Sequence, residues 1–261
     1  MILIVYSSFI QAGGIFRSKR IMLKNEDRSV KFQAMKKPSF KGVEATLFDF
    51  EGTLVDFQWD LNGAVQETLK MLRKSGFPKD RLQGKKYSIL MREAMEMAPE
   101  IGRSPDEVME RIGAIYDRYD EDALTRWTLR PKARDFIDDL KTNGIKTGLV
   151  SNVGKLALEK AFHKLNFDQL FDVSITRNDV RTLKPSGEGI NLALTRLRVA
   201  KNKALYVGDS LDDIHAAKEA GLKVIIILGG ENSKSDLLSG GPDFLIQDFG
   251  KLIARLKEEF S

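Results

Sequence analysis

The sequence predicts an α/β protein built on a doubly wound parallel sheet, with a helical module inserted after the first strand. Two observations lead to this prediction. From residue 45 onward, short apolar runs without polar alternation are separated by segments of helical periodicity, as expected for strands covered on both faces. Between residues 57 and 128 this rhythm stops, and the segment contains helical patterns without a convincing strand.

The predicted strands are short runs of mainly apolar residues. In chain order they cover 45–50, 145–151, 172–176, 203–208, 222–228 and 243–246, the last being the weakest. Each run is short enough for a buried strand and shorter than a typical helix. Because helical patterns recur between the strands, the sheet is predicted to be parallel.

Helical periodicity fills the intervals between these strands. The predicted core helices cover 131–143, 155–165, 187–197, 212–220 and 249–260. The first has Pro131 at its start and Gly144 after its end, the asymmetry typical of helices. The inserted module contains three more predicted helices, 61–75, 85–97 and 104–119, the last beginning with Ser104 as N-cap.

These patterns divide the chain into three regions. Residues 41–56 and 129–261 form the predicted core domain, and residues 57–128 form a helical domain. Residues 1–40 contain eight basic and two acidic residues, so the net charge of +5 resides there and the rest of the chain is close to neutral. We expect residues 1–40 to be a disordered basic extension. A nucleic-acid partner is not predicted, because the folded body has no excess of basic residues.

Composition excludes several further classes of protein. The apolar run 1–10 is too short to span a bilayer, so no membrane partner is expected. Cysteine is absent, which excludes disulfides, thiolate metal sites and a cysteine nucleophile. The absence of cysteine is compatible with a reducing compartment, and we expect a cytoplasmic protein. A homodimer is possible from the sequence.

Reactive side chains follow the strands at the edge where open α/β sheets bind ligands, beyond the carboxyl ends of the strands. Four segments provide them: Asp49-Phe50-Glu51-Gly52-Thr53, Ser151-Asn152, Lys184-Pro185 and Gly208-Asp209-Ser210-Leu211-Asp212-Asp213. Converging carboxylates repel one another unless a cation neutralises them, and a few carboxylates with water and phosphate are typical ligands of Mg²⁺. A lysine and a serine hydroxyl would bind phosphate oxygens. An aspartate could attack phosphorus as a nucleophile.

The order and spacing of these four segments resemble the haloacid dehalogenase-like (HAD) hydrolase superfamily, close to its phosphoglycolate phosphatase-like members, over roughly residues 43–250. The resemblance implies a Rossmann-like HAD core with a mobile α-helical cap that shields the reaction from water. It also implies a Mg²⁺-dependent phosphatase. The substrate would be a small phosphorylated metabolite similar to phosphoglycolate, hydrolysed through an aspartyl-phosphate intermediate.

The resemblance also implies roles for individual residues. Asp49 would be the nucleophile, and Glu51 the general acid and base. The implied metal ligands are Asp49, the backbone carbonyl of Glu51, and Asp209. The implied phosphate-binding residues are Ser151, Asn152 and Lys184. Asp213 would support Lys184 and the water molecules on the metal.

Glu51 leaves three interpretations open. It can act as the acid and base, since Glu and Asp differ by one methylene and have similar reference pKa values. It can instead be misplaced, which would make the enzyme slow. Or the protein can have lost catalysis and bind a phosphorylated ligand or a partner. A phosphomutase is a further alternative, whereas dehalogenase chemistry is disfavoured because that branch has Tyr at this position and lacks the Gly-Asp-Ser segment.

Several residues also have simpler structural interpretations. Ser210 and Asp213 have the spacing of a helix capping box. Asp212 is expected to be solvated. The aromatic residues of the helical module, Phe57, Trp59 and Trp127, are expected to serve packing, although the first two lie near its hinge.

Overall fold

The computed structural model of the chain describes residues 5–11, 14–20 and 37–260. They belong to two compact units, Met1–Met35 and Lys36–Ser261. In the smaller unit, β1 (Val5–Gln11) pairs antiparallel with β2 (Gly14–Arg20). These strands differ from the predicted disorder of residues 1–40, because both contain β-branched and aromatic residues of high strand propensity. Residues 21–36 of the predicted extension lie outside the described residues.

Six parallel strands form the sheet of the larger unit, in the order β5-β4-β3-β6-β7-β8. They are β3 (Ala45–Phe48), β4 (Lys146–Val150), β5 (Val173–Ile175), β6 (Ala204–Gly208), β7 (Lys223–Ile227) and β8 (Phe244–Ile246). The six predicted strands are confirmed, and each is shorter than predicted by one or two residues. The chain runs outward from β3 to β5 and then from β6 to the other edge, so the topological switch point lies where β3 and β6 pair.

The helical insertion that follows β3 contains four α-helices. They are α1 (Leu61–Lys74), α2 (Lys79–Leu82), α3 (Tyr87–Met97) and α4 (Pro105–Arg126). The short α2 is missing from the sequence prediction. Ser104 caps α4 as predicted, but this helix continues beyond residue 119 because Asp120 and Ala123 are buried on the inner face of its last turns. Tertiary burial thus extends a helix whose sequence there is mostly polar.

The remaining helices flank the sheet. They are α5 (Ala133–Thr142), α6 (Lys155–Leu165), α7 (Glu188–Leu197), α8 (Leu211–Ala220), α9 (Lys234–Gly240) and α10 (Phe249–Phe260). The sequence did not predict α9, because its seven residues include two serines, an aspartate and a glycine, which have weak helix propensity. In the described residues, no helix has the length and apolar character required to cross a bilayer.

Successive residues of the central strands enter two different apolar layers. Phe48 and Val207 pack into the layer on one face of the sheet, whereas Leu47 and Tyr206 pack into the layer on the other. Both faces are therefore covered, which explains why the strand sequences show no polar alternation. The sheet is held rigidly between these layers, and its carboxyl edge forms a fixed platform for polar side chains.

The folded unit begins before residue 41, the predicted boundary. Phe40 is fully buried, with its ring centroid 5.8 Å from that of Phe136 on α5. Its backbone N–H donates to Glu259 Oε2 at 2.6 Å, and Arg255 Nε donates to the carbonyl of Pro38 at 2.9 Å. The segment before β3 is thus attached to α10.

We expect Phe40→Ala to lower the free energy of unfolding by about 3 kcal/mol, because it removes a large buried ring from a packed core. Urea denaturation followed by circular dichroism measures this change. Leu156→Ala is the matched control, since Leu156 is 60% exposed and its loss should change stability by less than about 0.5 kcal/mol. Equal effects of the two substitutions would contradict the attachment of this segment.

Candidate active site

Three buried carboxylates meet at the carboxyl edge of the sheet. Asp49 directly follows β3, Asp209 directly follows β6, and Asp213 lies in the first turn of α8. Each offers an oxygen within 4.8 Å of the others. The parallel pairing of β3 and β6 brings Asp49 and Asp209 together, because both strands end at the same edge.

Lys184 lies between two of these carboxylates. Its Nζ is 2.5 Å from Asp49 Oδ1, 2.7 Å from Asp213 Oδ1 and 3.1 Å from the hydroxyl oxygen of Tyr206. Burial alone would lower the pKa of Lys184, but the charges of Asp213 and Asp49 raise it well above its ordinary value. Lys184 is therefore a permanent cation in the centre of the site.

Asp213 serves the helix and the site together. Its Oδ2 accepts hydrogen bonds from Ser210 Oγ at 2.7 Å and from the backbone N–H groups of Ser210 and Asp209 at 3.0 and 3.1 Å. The predicted capping box of Ser210 and Asp213 is present. Burial alone would raise the pKa of Asp213, but Lys184 and these hydrogen bonds hold it below its ordinary value. Both of its oxygens are thus already engaged.

Asp209 has no ion-pair partner among residues 37–260. Its carboxylate accepts hydrogen bonds from Thr53 Oγ1 at 3.0 Å and from the backbone N–H of Glu231 at 2.7 Å. Burial, together with the charges of Asp213 and Asp49, raises the pKa of Asp209 well above its ordinary value.

Burial likewise raises the pKa of Asp49 to about 6, although Lys184 lowers it. A divalent cation at Asp49 and Asp209 would relieve this repulsion, so the oxygen donors fit Mg²⁺.

Two glycines make room for Asp209. A Cβ on Gly230 would lie 1.9 Å from Asp209 Oδ2, and a Cβ on Gly52 would lie 2.4 Å from the same oxygen. Gly52 also has a φ of +84°, which residues with a Cβ rarely adopt. At both positions the backbone lies so close to the Asp209 carboxylate that a residue with a Cβ would overlap it.

Ser151 and Asn152 follow β4 and line the same cavity as the carboxylates. Ser151 Oγ accepts a hydrogen bond from the backbone N–H of Val153 at 3.2 Å. Asn152 Oδ1 accepts one from the backbone N–H of Lys184 at 3.0 Å. The geometry thus gives Asn152 a task that the sequence does not reveal, which is to fix the segment that carries Lys184.

Glu51 is held by residues at both ends of the helical insertion. Its Oε1 accepts hydrogen bonds from Trp127 Nε1 and from the backbone N–H of Gln58, each at 2.8 Å. Burial raises the pKa of Glu51 to about 7 although these two hydrogen bonds lower it. Trp127 is 1% exposed and packs edge-on against Phe50 at 5.1 Å. The sequence predicted only a packing role for Trp127. The structure shows that it also donates a hydrogen bond to Glu51.

The helical insertion contacts the sheet edge beside these residues. Lys86 Nζ is 3.2 Å from Asp212 Oδ1, so Asp212 is buried beneath the insertion, and the prediction that it is solvated is wrong. On the opposite side, Arg177 Nη2 is 2.7 Å from Asp120 Oδ2, a buried ion pair between the core and α4. The same Asp120 oxygen accepts the backbone N–H of Gly154 at 2.9 Å.

A small cavity of about 50 Å³ lies between the insertion and the sheet edge. Most of the residues that the sequence predicted for the site line it: Asp49, Glu51, Ser151, Asn152, Lys184 and Asp209. Asp213 lies behind Lys184. The sequence missed further lining residues, among them Trp59, Tyr87, Asp120 and Glu231. No local motif distinguishes these residues from packing residues, and the position of Trp59 near the hinge is the one signal that could have found it.

Comparison with known proteins identifies this architecture. The haloacid dehalogenase-like hydrolase family matches residues 46–227. The chain belongs to this family. The resemblance drawn from the four segments is thereby confirmed, and the protein is an enzyme of the HAD hydrolase class.

Individual HAD proteins are similar over most of the chain. A phosphoglycolate phosphatase of Colwellia psychrerythraea is 27% identical over 219 residues, which cover 82% of this chain and 97% of the relative. A hydrolase from Pseudomonas syringae of known structure is 22% identical, covers 84% of this chain and 100% of its own, and has a TM-score of 0.61. A proposed beta-phosphoglucomutase from Thermotoga maritima is 25% identical, covers 83% and 99%, and has a TM-score of 0.54.

We expect Mg²⁺ to raise the Tm of the protein, since a ligand that binds the native state stabilises it. The shift should be roughly 3 °C at about ten times the Kd. Asp209→Asn should remove this shift without lowering the Tm of the metal-free protein, because it removes a buried, repelled charge. Thermal denaturation with and without Mg²⁺ measures both effects. The exposed Asp138→Asn is the control and should retain the shift; a full shift in Asp209→Asn would exclude Asp209 as a ligand.

Proposed function

We propose that this HAD enzyme is a Mg²⁺-dependent phosphatase that hydrolyses a small phosphorylated metabolite through an aspartyl-phosphate on Asp49. One observation carries the proposal. Lys184 Nζ engages Asp49 at Oδ1, while the second oxygen, Oδ2, has a single, weaker contact, Thr53 Oγ1 at 3.4 Å. Asp49 thus faces the cavity with one oxygen anchored and the other available to attack phosphorus.

In the first step, Asp49 Oδ2 forms a bond to phosphorus as the ester P–O bond breaks. The leaving oxygen takes its proton from Glu51, whose elevated pKa of about 7 keeps part of the population protonated near neutral pH. Lys184 binds the phosphoryl oxygens together with Ser151 and Asn152, and its position between Asp49 and Asp213 fixes the nucleophile. Bound Mg²⁺, with Asp49, Asp209 and the backbone carbonyl of Glu51 as proposed ligands, would neutralise phosphoryl charge.

In the second step, the carboxylate of Glu51 acts as a base. Glu51 takes a proton from a water molecule as the oxygen of that water attacks phosphorus. The bond between phosphorus and Asp49 breaks, which releases inorganic phosphate and restores the free carboxylate of Asp49. Asp213 keeps Lys184 in place throughout through its 2.7 Å contact. The helical insertion covers the cavity as a cap and excludes other water, which supports a proposed division into core and cap domains close to residues 57 and 128.

A phosphomutase is the second candidate, and the similarity to the Thermotoga maritima protein favours it. It would use the same Asp49 chemistry but return the phosphoryl group to a second hydroxyl instead of to water. Release of inorganic phosphate distinguishes the two functions. A protein that only binds phosphorylated ligands is less well supported, because binding alone has no use for the Asp49 and Glu51 pair. A cytoplasmic location, a homodimer and the absence of nucleic-acid and membrane partners stay predictions.

We expect Asp49→Asn to abolish phosphate release, because the amide is no nucleophile, and Glu51→Gln to slow it by about 10²–10⁴-fold. The assay follows p-nitrophenyl phosphate and 2-phosphoglycolate with Mg²⁺ and again with EDTA. Asp60→Asn is the control: it also removes one carboxylate, and Asn caps α1 as well as Asp does. Full activity of Glu51→Gln would exclude the acid and base role, and turnover unaffected by EDTA would exclude the metal.

We expect Trp127→Phe to lower kcat/KM for an alkyl phosphate by roughly 10-fold, since Phe retains the packing against Phe50 but loses the hydrogen bond to Glu51. The value for p-nitrophenyl phosphate should change by less than about 3-fold, because its leaving group ionises near pH 7 and depends less on a proton donor. Equal losses for both esters would mean that Trp127 has a structural role alone.

A further inference from the structure

We infer that Trp59 determines substrate specificity by donating its indole N–H to an oxygen of the leaving group, and that this leaving group is polar but uncharged. The inference rests on the proposed phosphatase function and deepens it. It names the substrate class as a phosphate ester of a small hydroxylated or carbonyl-bearing alcohol without a second anionic group.

The first observation is an unpaired donor on a residue that lines the cavity. Trp59 lines the catalytic cavity and is 8% exposed. Its Nε1 is buried and has no hydrogen-bond partner among the described residues. The chain has two tryptophans, and the other, Trp127, donates its Nε1–H to Glu51. A buried donor without an acceptor is unfavourable, and an oxygen of a bound substrate would satisfy it.

The second observation is that Trp59 is held firmly in relation to the phosphate site. The centroid of its ring lies 4.8 Å from the ring centroid of Tyr87, 5.5 Å from that of Tyr116 and 6.2 Å from that of Tyr119. The hydroxyl of Tyr87 accepts a hydrogen bond from Asn152 Nδ2 at 2.7 Å. The aromatic cluster is thus tied to Asn152 of the proposed phosphate-binding segment, which fixes the indole ring in relation to that segment.

The third observation concerns charge. Six carboxylates line the cavity: Asp49, Glu51, Asp120, Asp209, Asp212 and Glu231. Within residues 37–260, Lys184 is the one cationic side chain that lines it, and Asp49 and Asp213 already neutralise that cation.

Two of the cationic side chains near the cavity are already paired with carboxylates. Arg177 is paired with Asp117 and Asp120 at 2.5 and 2.7 Å. Lys86 Nζ is 3.2 Å from Asp212 and 3.9 Å from Glu231. A carboxylate on the leaving group would therefore meet like charges, and Lys184, Lys86 and Arg177 are already paired with carboxylates. A hydroxyl or carbonyl oxygen could instead accept from Trp59.

Cavity size agrees with a small substrate. The cavity of about 50 Å³ is small, which favours a phosphate ester with a short organic part. The inference thus departs from phosphoglycolate, the substrate after which the curated relatives are named, since the organic part of phosphoglycolate is a carboxylate.

The test compares kcat/KM for four phosphate esters with Mg²⁺: glycerol 2-phosphate, its dideoxy analogue isopropyl phosphate, 2-phosphoglycolate and p-nitrophenyl phosphate. We expect the wild-type enzyme to prefer glycerol 2-phosphate to both isopropyl phosphate and 2-phosphoglycolate by about 10-fold or more. Trp59→Phe should reduce the preference over isopropyl phosphate by about 5- to 10-fold.

Tyr119→Phe is the matched control, because it removes a hydroxyl from the same aromatic cluster without lining the cavity; its substrate ratios should equal those of the wild type. An unchanged ratio in Trp59→Phe would overturn the donor role. A wild-type preference for 2-phosphoglycolate would overturn the uncharged leaving group, and this comparison holds even if the variant does not fold. Turnover of p-nitrophenyl phosphate separates these failures from failure of the phosphatase function, which would abolish turnover of every ester.

Discussion

The site depends on the ion-pair cluster in which Lys184 lies between Asp49 and Asp213. Three carboxylates this close and this deeply buried would repel one another strongly in the absence of a cation. Lys184 balances two of them, and the helix cap and Tyr206 engage Asp213 further. Among residues 37–260, Asp209 remains the carboxylate of this cluster without an ion pair, and this incomplete charge balance is the physical basis for the proposed Mg²⁺ site.

This arrangement separates two kinds of groups. Asp213 has every oxygen satisfied and a lowered pKa, as expected of a group that holds others in place. Asp49, Glu51 and Asp209 have raised pKa values, because burial outweighs their contacts. Raised pKa values of this kind are typical of reacting groups and metal ligands. Both kinds of groups lie together at one edge of the sheet. The groups that are already satisfied can therefore hold the groups with raised pKa values in position.

Glu51 shows how the helical insertion enters the chemistry. The question raised by Glu instead of Asp was whether its carboxyl group is correctly placed. Trp127 and Gln58 hold it from the two segments that connect cap and core, so a longer side chain has a defined position here. A shift of the helical insertion would move both donors, so the orientation of Glu51, the proposed acid and base, is linked to the position of the insertion. Trp59, the proposed donor to the leaving group, lies on the same entry segment.

The sequence by itself determined the order of strands and helices, the site of the helical insertion and the four segments that meet at the sheet edge. These features rest on local patterns: apolar runs, helix caps and the spacing of Asp, Ser and Lys after strands. Contacts between distant segments were decided by the tertiary structure alone. The hydrogen bond of Trp127 to Glu51, the burial of Asp212 under Lys86 and the pairing of Arg177 with Asp120 join residues 57 or more positions apart. No local pattern encodes such pairs, because packing brings them together only once the cap lies over the sheet.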